Sequence, residues 1–80
     1  MSDKELLVLF INGDENAITE TKNKYRHYLY RISYQILGDN EDVGECLNDV
    51  LLAAWKAVPK DTPEKLLPYL RKITRDICLN

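Results

Sequence analysis

The stretch Asn40-Glu41-Asp42-Val43-Gly44-Glu45-Cys46-Leu47-Asn48-Asp49-Val50-Leu51-Leu52-Ala53-Ala54-Trp55 decides the fold of this chain. Val43, Leu47, Val50, Leu51, Ala54 and the following Val58 recur at three- and four-residue steps, the period of a helix with one apolar stripe. Asp39 or Asn40 is expected to cap this helix, and Glu41 and Asp42 suit its positive amino end. Pro59 is expected to close it. Projected at about 100° per residue, Glu45, Asn48, Asp49 and Leu52 face away from the stripe and Trp55 stands at its margin.

Working toward the amino terminus, Ile18, Tyr25, Leu29, Ile32 and Ile36 mark a second helix, read as the longest, that Asp14 can cap and Gly38 can stop in a left-handed conformation. Ser2 and Glu5 have capping-box spacing, and Leu6, Leu7, Leu9, Phe10 and Ile11 follow in a short first helix ending near Asn12-Gly13. Toward the other end, residues 60–65 read as a connection containing Asp61-Thr62-Pro63. Leu66, Leu70, Ile73 and Ile77 then define a fourth helix, with Pro68 tolerable in its first turn. No strand alternation or internal repeat interrupts this order. The expected fold is all-α: a compact bundle of four helices, with a short first helix, a long second helix and two further helices.

Eighty residues, 45% of them hydrophobic and 30% charged, can bury one core and not two. No run approaches the roughly 20 apolar residues that cross a bilayer, and Asp3, Lys4 and Glu5 occupy the start where a secretion signal would be basic. The chain therefore reads as cytoplasmic, with no membrane partner. Cys46 and Cys78 sit within helical patterns without metal-ligand spacing and read as small buried side chains rather than as a disulfide or a zinc site. No cofactor, metal or catalytic arrangement is expected: there is no phosphate-binding glycine loop, and His27 has neither a nucleophile nor an orienting partner.

Binding is left to the outward faces. A net charge of −2 gives no basic footprint over the whole chain, so local charge has to decide. On the third helix, Leu52 among carboxylates is either a solitary exposed apolar residue or the anchor of a face selecting a basic partner. On the fourth, Arg71, Lys72 and Arg75 lie opposite the apolar stripe, with Tyr69 and Asp76 at one edge. They form either a solvated face or a phosphate-contacting patch with a tyrosine that stacks on a base. Tyr30 and Tyr34, one turn apart on the second helix, either face outward or lie against the first or fourth helix.

Three segments in order carry a family resemblance. Tyr28-Leu29-Tyr30-Arg31-Ile32-Ser33-Tyr34-Gln35-Ile36-Leu37-Gly38-Asp39, the stretch from Asn40 to Trp55, and Tyr69-Leu70-Arg71-Lys72-Ile73-Thr74-Arg75-Asp76 together resemble region 2 of bacterial RNA polymerase sigma factors of the extracytoplasmic-function (ECF) type. The resemblance implies a sigma region 2-like domain over residues 1–80, the amino-terminal piece of a longer protein whose helix-turn-helix domain is absent here. It implies a transcription initiation factor, not an enzyme, that docks on the clamp coiled coil of the largest subunit of core RNA polymerase and contacts and melts the single-stranded minus-ten promoter element. An anti-sigma factor is a further partner it admits.

Carried over by position, Asp42, Glu45, Asn48, Asp49, Leu52 and Trp55 are the polymerase-binding candidates. Tyr69, Arg71, Lys72, Arg75 and Asp76 are the promoter candidates, Tyr69 standing where the family has Trp. Two departures stand out. Asp76 replaces an Asn with a carboxylate that repels phosphate. Gly44 occupies a helix-interior slot usually held by Ala, costs about 1 kcal/mol of helix propensity, and suggests close approach or divergence. The alternative is a helical regulatory module that binds protein through the same third-helix face without touching DNA.

Overall fold

The computed structural model describes residues 1–38 and 42–79 in full and residues 40 and 41 as backbone only. Four helices follow in order: α1 (Asp3–Ile11), α2 (Asn16–Leu37), α3 (Asn40–Asp61) and α4 (Leu66–Leu79). Among the described residues there is no strand. The all-α four-helix bundle is as expected, and every helix packs against the other three.

The amino-terminal signals act as their chemistry requires. The Glu5 amide donates to the Ser2 hydroxyl at 3.2 Å, and the Ser2 amide donates to the Glu5 carboxylate at 3.1 Å, a complete capping box. Gly13, at φ +69°, ends α1: its amide donates to the Phe10 carbonyl at 3.0 Å, and the Asp14 amide reaches the Leu9 carbonyl at 2.9 Å. These are the two bonds of a Schellman turn. The Asp14 carboxylate accepts from the Asn16 amide at 2.9 Å, so the expected capping residue of α2 serves as one from two positions ahead. Gly38, at φ +70°, stops α2 with its amide on the Tyr34 carbonyl at 2.8 Å. The expected cap at Asp39 or Asn40 and the Glu41 carboxylate lie outside the described side chains.

Two boundaries differ from expectation. Pro59 does not close α3, which continues to Asp61 and equals α2 at 22 residues, so α2 is not the longest helix alone. Pro59 sits exposed near the end of α3, where its missing amide removes one intrahelical bond at a solvated edge. The stop comes at Thr62, whose φ of +41° turns the chain while its amide still reaches the Val58 carbonyl at 2.8 Å. The connection thus shrinks to residues 62–65, and α4 starts at Leu66 with Pro68 in its first turn.

One core cluster gathers Leu6 and Phe10 of α1, Ala17 and Leu29 of α2, Val43, Leu47, Leu51, Ala54 and Val58 of α3, and Leu66 and Leu70 of α4. The α3 stripe is buried in full. On α2 the buried line runs through Ala17, Thr21, Leu29 and Ser33, flanked by the half-buried Ile18, Tyr25, Ile32 and Ile36. Three of these four buried side chains are small, and the larger half-buried ones fill the sides against the neighbouring helices. On α4, Thr74 and Cys78 are buried while Ile73 and Ile77 are half-buried, and the Thr74 hydroxyl is satisfied by the Leu70 carbonyl at 2.7 Å.

A second, smaller cluster contains Cys46, Val50 and Cys78, with Ile36, Leu37, Ile73 and Ile77 against it. Here Cys46 and Cys78 are joined as a disulfide, which corrects the reading of two independent buried thiols. The packing of α4 on α3 brings their Cα atoms to 6.3 Å across 32 positions of sequence, within the span a disulfide bridges.

A polar tie fixes the amino terminus. Asp3 accepts from the Lys24 ammonium at 2.8 Å and from the Tyr25 hydroxyl at 2.6 Å, and Lys24 also donates to the Met1 carbonyl at 3.0 Å. The Lys24 and Tyr25 hydrogen bonds hold the Asp3 carboxyl below its ordinary value.

Candidate protein and nucleic-acid interfaces

The outward face of α3 follows directly from the burial of its stripe. With Val43, Leu47, Val50, Leu51, Ala54 and Val58 turned inward, residues three and four apart on the opposite side must meet solvent. Asp42, Glu45, Asn48 and Asp49 are all exposed, and Leu52, one turn beyond them, keeps 45% of its surface in water. Leu52 is thus an apolar side chain bordered on its own helix by Asn48 and Asp49 on one side and by Trp55 and the exposed Lys56 on the other.

Trp55 is placed differently from the other five. Its ring is half-buried against the main core, and its indole nitrogen donates to the Asp14 carbonyl at 3.2 Å. It anchors α3 to the α1–α2 turn and offers an edge to the surface rather than a free ring.

Beside this face lies a cleft of about 490 Å³, lined by Lys22, Arg26, His27 and Tyr30 of α2 and by Gly44, Leu47 and Asn48 of α3. Residue spacing gives no sign that Lys22, Arg26 and His27 adjoin the acidic helix, because that adjacency is set by the α2–α3 crossing. Gly44 contributes to the opening. A Cβ built there would meet nothing within 4 Å, so the glycine serves no close approach of backbones, and that expectation is corrected. Tyr30 and Tyr34 both face outward, with rings stacked at 6.3 Å and an interplanar angle of 13°, rather than lying under the first or fourth helix.

On α4, Arg71, Lys72, Arg75 and Asp76 are exposed and line one groove of about 390 Å³ together with Pro68. Spacing had put the cations on one face; the structure brings Asp76 in among them. Tyr69 departs from its expected place as a free stacking platform. Its ring is half-buried on the main core, and its hydroxyl donates to the Asp61 carboxylate at 2.5 Å, joining the start of α4 to the end of α3. Burial, and then the bond to Asp61, push the Tyr69 hydroxyl up to about 12.

The two faces suit recognition. Among the described residues no group of His, Cys, Asp or Glu could hold a metal ion, and no helix is long and apolar enough to cross a membrane. An exposed apolar residue with carboxylates along its amino-terminal side fits a cationic protein surface, and a cation-lined groove fits phosphates.

No curated protein and no solved structure gives a significant match to the chain. The family model described as sigma-70 region 2 matches residues 22–80, from early in α2 to the last residue. With that match covering well over half of its length, the chain belongs to the sigma-70 region 2 family, whose domains are non-enzymatic and serve RNA polymerase binding and promoter recognition.

Proposed function

We propose that the chain is the region 2 domain of an ECF-type sigma factor, acting in the cytoplasm. In this reading α3 docks on the clamp coiled coil of the largest polymerase subunit, with Leu52 as the apolar anchor and Asp42, Glu45, Asn48 and Asp49 selecting a cationic surface. Arg71, Lys72 and Arg75 of α4 hold the phosphates of the minus-ten strand while it is melted. The observation that carries the reading is the exposure of Leu52 at the centre of a helix whose other apolar residues turn inward. An anti-sigma factor would compete for the same face.

Titrating the purified clamp coiled coil against wild type and Leu52→Glu, with thermal melting of both, tests the docking face. Loss of binding with an unchanged melting temperature is the expected result. Equal affinity for the two proteins would reject it.

A second reading has an observation in its favour: Asp76 shares the α4 groove with the three cations, and Tyr69 is engaged by Asp61. A regulatory module that binds protein through α3 and leaves DNA alone would tolerate both. Strand binding absent at low salt, with coiled-coil binding intact, would favour this alternative.

A further inference from the structure

Cys46 lies one residue after Glu45 and three before Asp49, at the inner border of the acidic face of α3, whereas Cys78 lies three residues after Arg75 on α4. The disulfide between them is the one covalent link in the chain other than the backbone, and it fastens the two helices that carry the opposite surface chemistries. Both cysteines are nearly buried, at 6% and 7% exposure. Even so they line an open groove of about 290 Å³ together with Leu37, Asp42, Glu45, Asp49 and Ile77. Small reagents can therefore reach the sulfurs, and must pass three carboxylates to do so.

The surroundings also tolerate the open form. Val50, Ile36, Leu37, Ile73 and Ile77 pack around the pair, so two thiols would sit there as small apolar side chains. The main core, which includes neither cysteine, would keep the four helices together. The carboxyl-terminal turn of α4 has less to hold it: beyond Thr74 its inward residues are Ile77 and Cys78, both in the smaller cluster.

We propose that Cys46 and Cys78 form a reversible oxidation site, a clasp that a hydroperoxide closes and a neutral or cationic dithiol opens, and whose state sets the order of the last turns of α4 against α3. In closing, one cysteine thiolate attacks the peroxide oxygen, the O–O bond breaks, and a sulfenic acid forms with release of an alcohol, or of water when the oxidant is hydrogen peroxide. The second cysteine then displaces water from that sulfur to give the disulfide. The two sulfurs together lose two electrons, and the peroxide gains them. In opening, a dithiol sulfur attacks one cysteine sulfur to form a mixed disulfide, and its second sulfur resolves it, leaving the dithiol oxidised and a proton on each cysteine.

The test uses the 80-residue chain, which holds both cysteines, in its peroxide-treated and dithiothreitol-treated states. Thiol alkylation with mass spectrometry reads closure, and amide hydrogen exchange reads α4. The expected result is full loss of alkylation after hydrogen peroxide and return of two alkylated sites after dithiothreitol. Exchange of the amides of residues 75–79 should be about tenfold or more faster in the open state, with a melting temperature lower by about 10 °C or more.

A Cys46→Ala, Cys78→Ala double variant should exchange like the open wild type and ignore both reagents. Thiols that stay alkylatable after peroxide, or equal exchange in the two states, would overturn the clasp.

The acidic groove adds a second readout. With each rate divided by the same thiol's rate on a small uncharged disulfide, cysteamine should open the clasp about tenfold faster than mercaptoethanesulfonate at low salt. The ratio should approach one as salt rises. A salt-independent ratio of one would remove the carboxylates from the proposal.

The clasp itself does not rest on the proposed function. A chain whose α4 exchange follows its redox state but which binds no strand in either state supports the clasp and sinks the promoter reading, so the two failures are distinguishable.

Discussion

The outward faces of α3 and α4 belong to helices of the same bundle, yet they are built on opposite plans. The α3 face has an exposed leucine and a row of carboxylates, with its only aromatic residue, Trp55, drawn inward to the Asp14 carbonyl. The α4 face has three cations around a shared groove, a carboxylate among them, and its aromatic residue drawn inward to Asp61. A desolvated apolar anchor delivers most of its free energy at one point and is insensitive to salt, whereas cations spread over phosphates contribute in small, screened increments. The difference teaches that α3 is suited to a fixed protein surface and α4 to a flexible charged chain.

The comparison breaks most visibly at Leu52. Replacing it by Glu should weaken clamp binding by about 2 kcal/mol or more, roughly 30-fold, because the anchor is lost and a charge enters the contact. Folding should change by less than about 0.5 kcal/mol, since the side chain meets solvent. Isothermal titration and thermal melting read the two quantities separately.

On α4 two substitutions should act with opposite sign. Arg75→Ala should lower single-strand affinity several-fold and reduce the salt slope by about 0.7, while Asp76→Asn should raise affinity at low salt by removing a charge that opposes phosphate. Fluorescence anisotropy of a labelled strand across a salt series would show both. Matching changes of the same sign would mean that the groove does not bind phosphate.

Tyr69 sharpens the comparison from inside. Its hydroxyl is raised in the folded protein, by burial first and then by the Asp61 bond, from an ordinary 10.0 to about 12, so the stability contributed by keeping it neutral is complete below pH 10 and is lost as pH rises through about 12. Tyr69→Phe should cost at most about 1 kcal/mol at neutral pH, since the bond lies at a solvated edge, and should flatten the alkaline fall in stability. Chemical denaturation between pH 9 and 11 would detect it. Gly44→Ala should have the smallest effect and a favourable one, about 0.5 to 1 kcal/mol of added stability, because the new methyl meets open space. A urea melt measures it, and a loss of stability would show that the glycine is needed where it stands.

Much of this architecture is readable from the chain because the decisive signals are local. The α3 stripe repeats over more than four turns, and Ser2, Gly13 and Gly38 act within a few residues of themselves, so periodicity and capping locate the helices. Pro59 misleads for the same reason: a local stopping rule takes no account of a solvated last turn that tolerates one missing bond. The outward position of Leu52 and of the three α4 cations follows from projection alone. The clustering of Asp76 with those cations, the basic cleft beside α3 and the Tyr69–Asp61 bond do not, since each depends on how two helices cross or on a rotation of a few tens of degrees at a helix margin. The disulfide is furthest from view, because nothing local tells two cysteines 32 positions apart on separate helices that they will meet.

Trp55 gives the protein an optical use. It is the sole tryptophan in the chain, it stands three residues beyond Leu52, and its indole is pinned to one carbonyl at the mouth of the α1–α2 turn. Emission excited in the indole band therefore reports from a single known spot at the edge of α3. A partner seating on Leu52 would alter the polarity around that ring, so complex formation can be followed by spectral shift and quenching without attaching a dye.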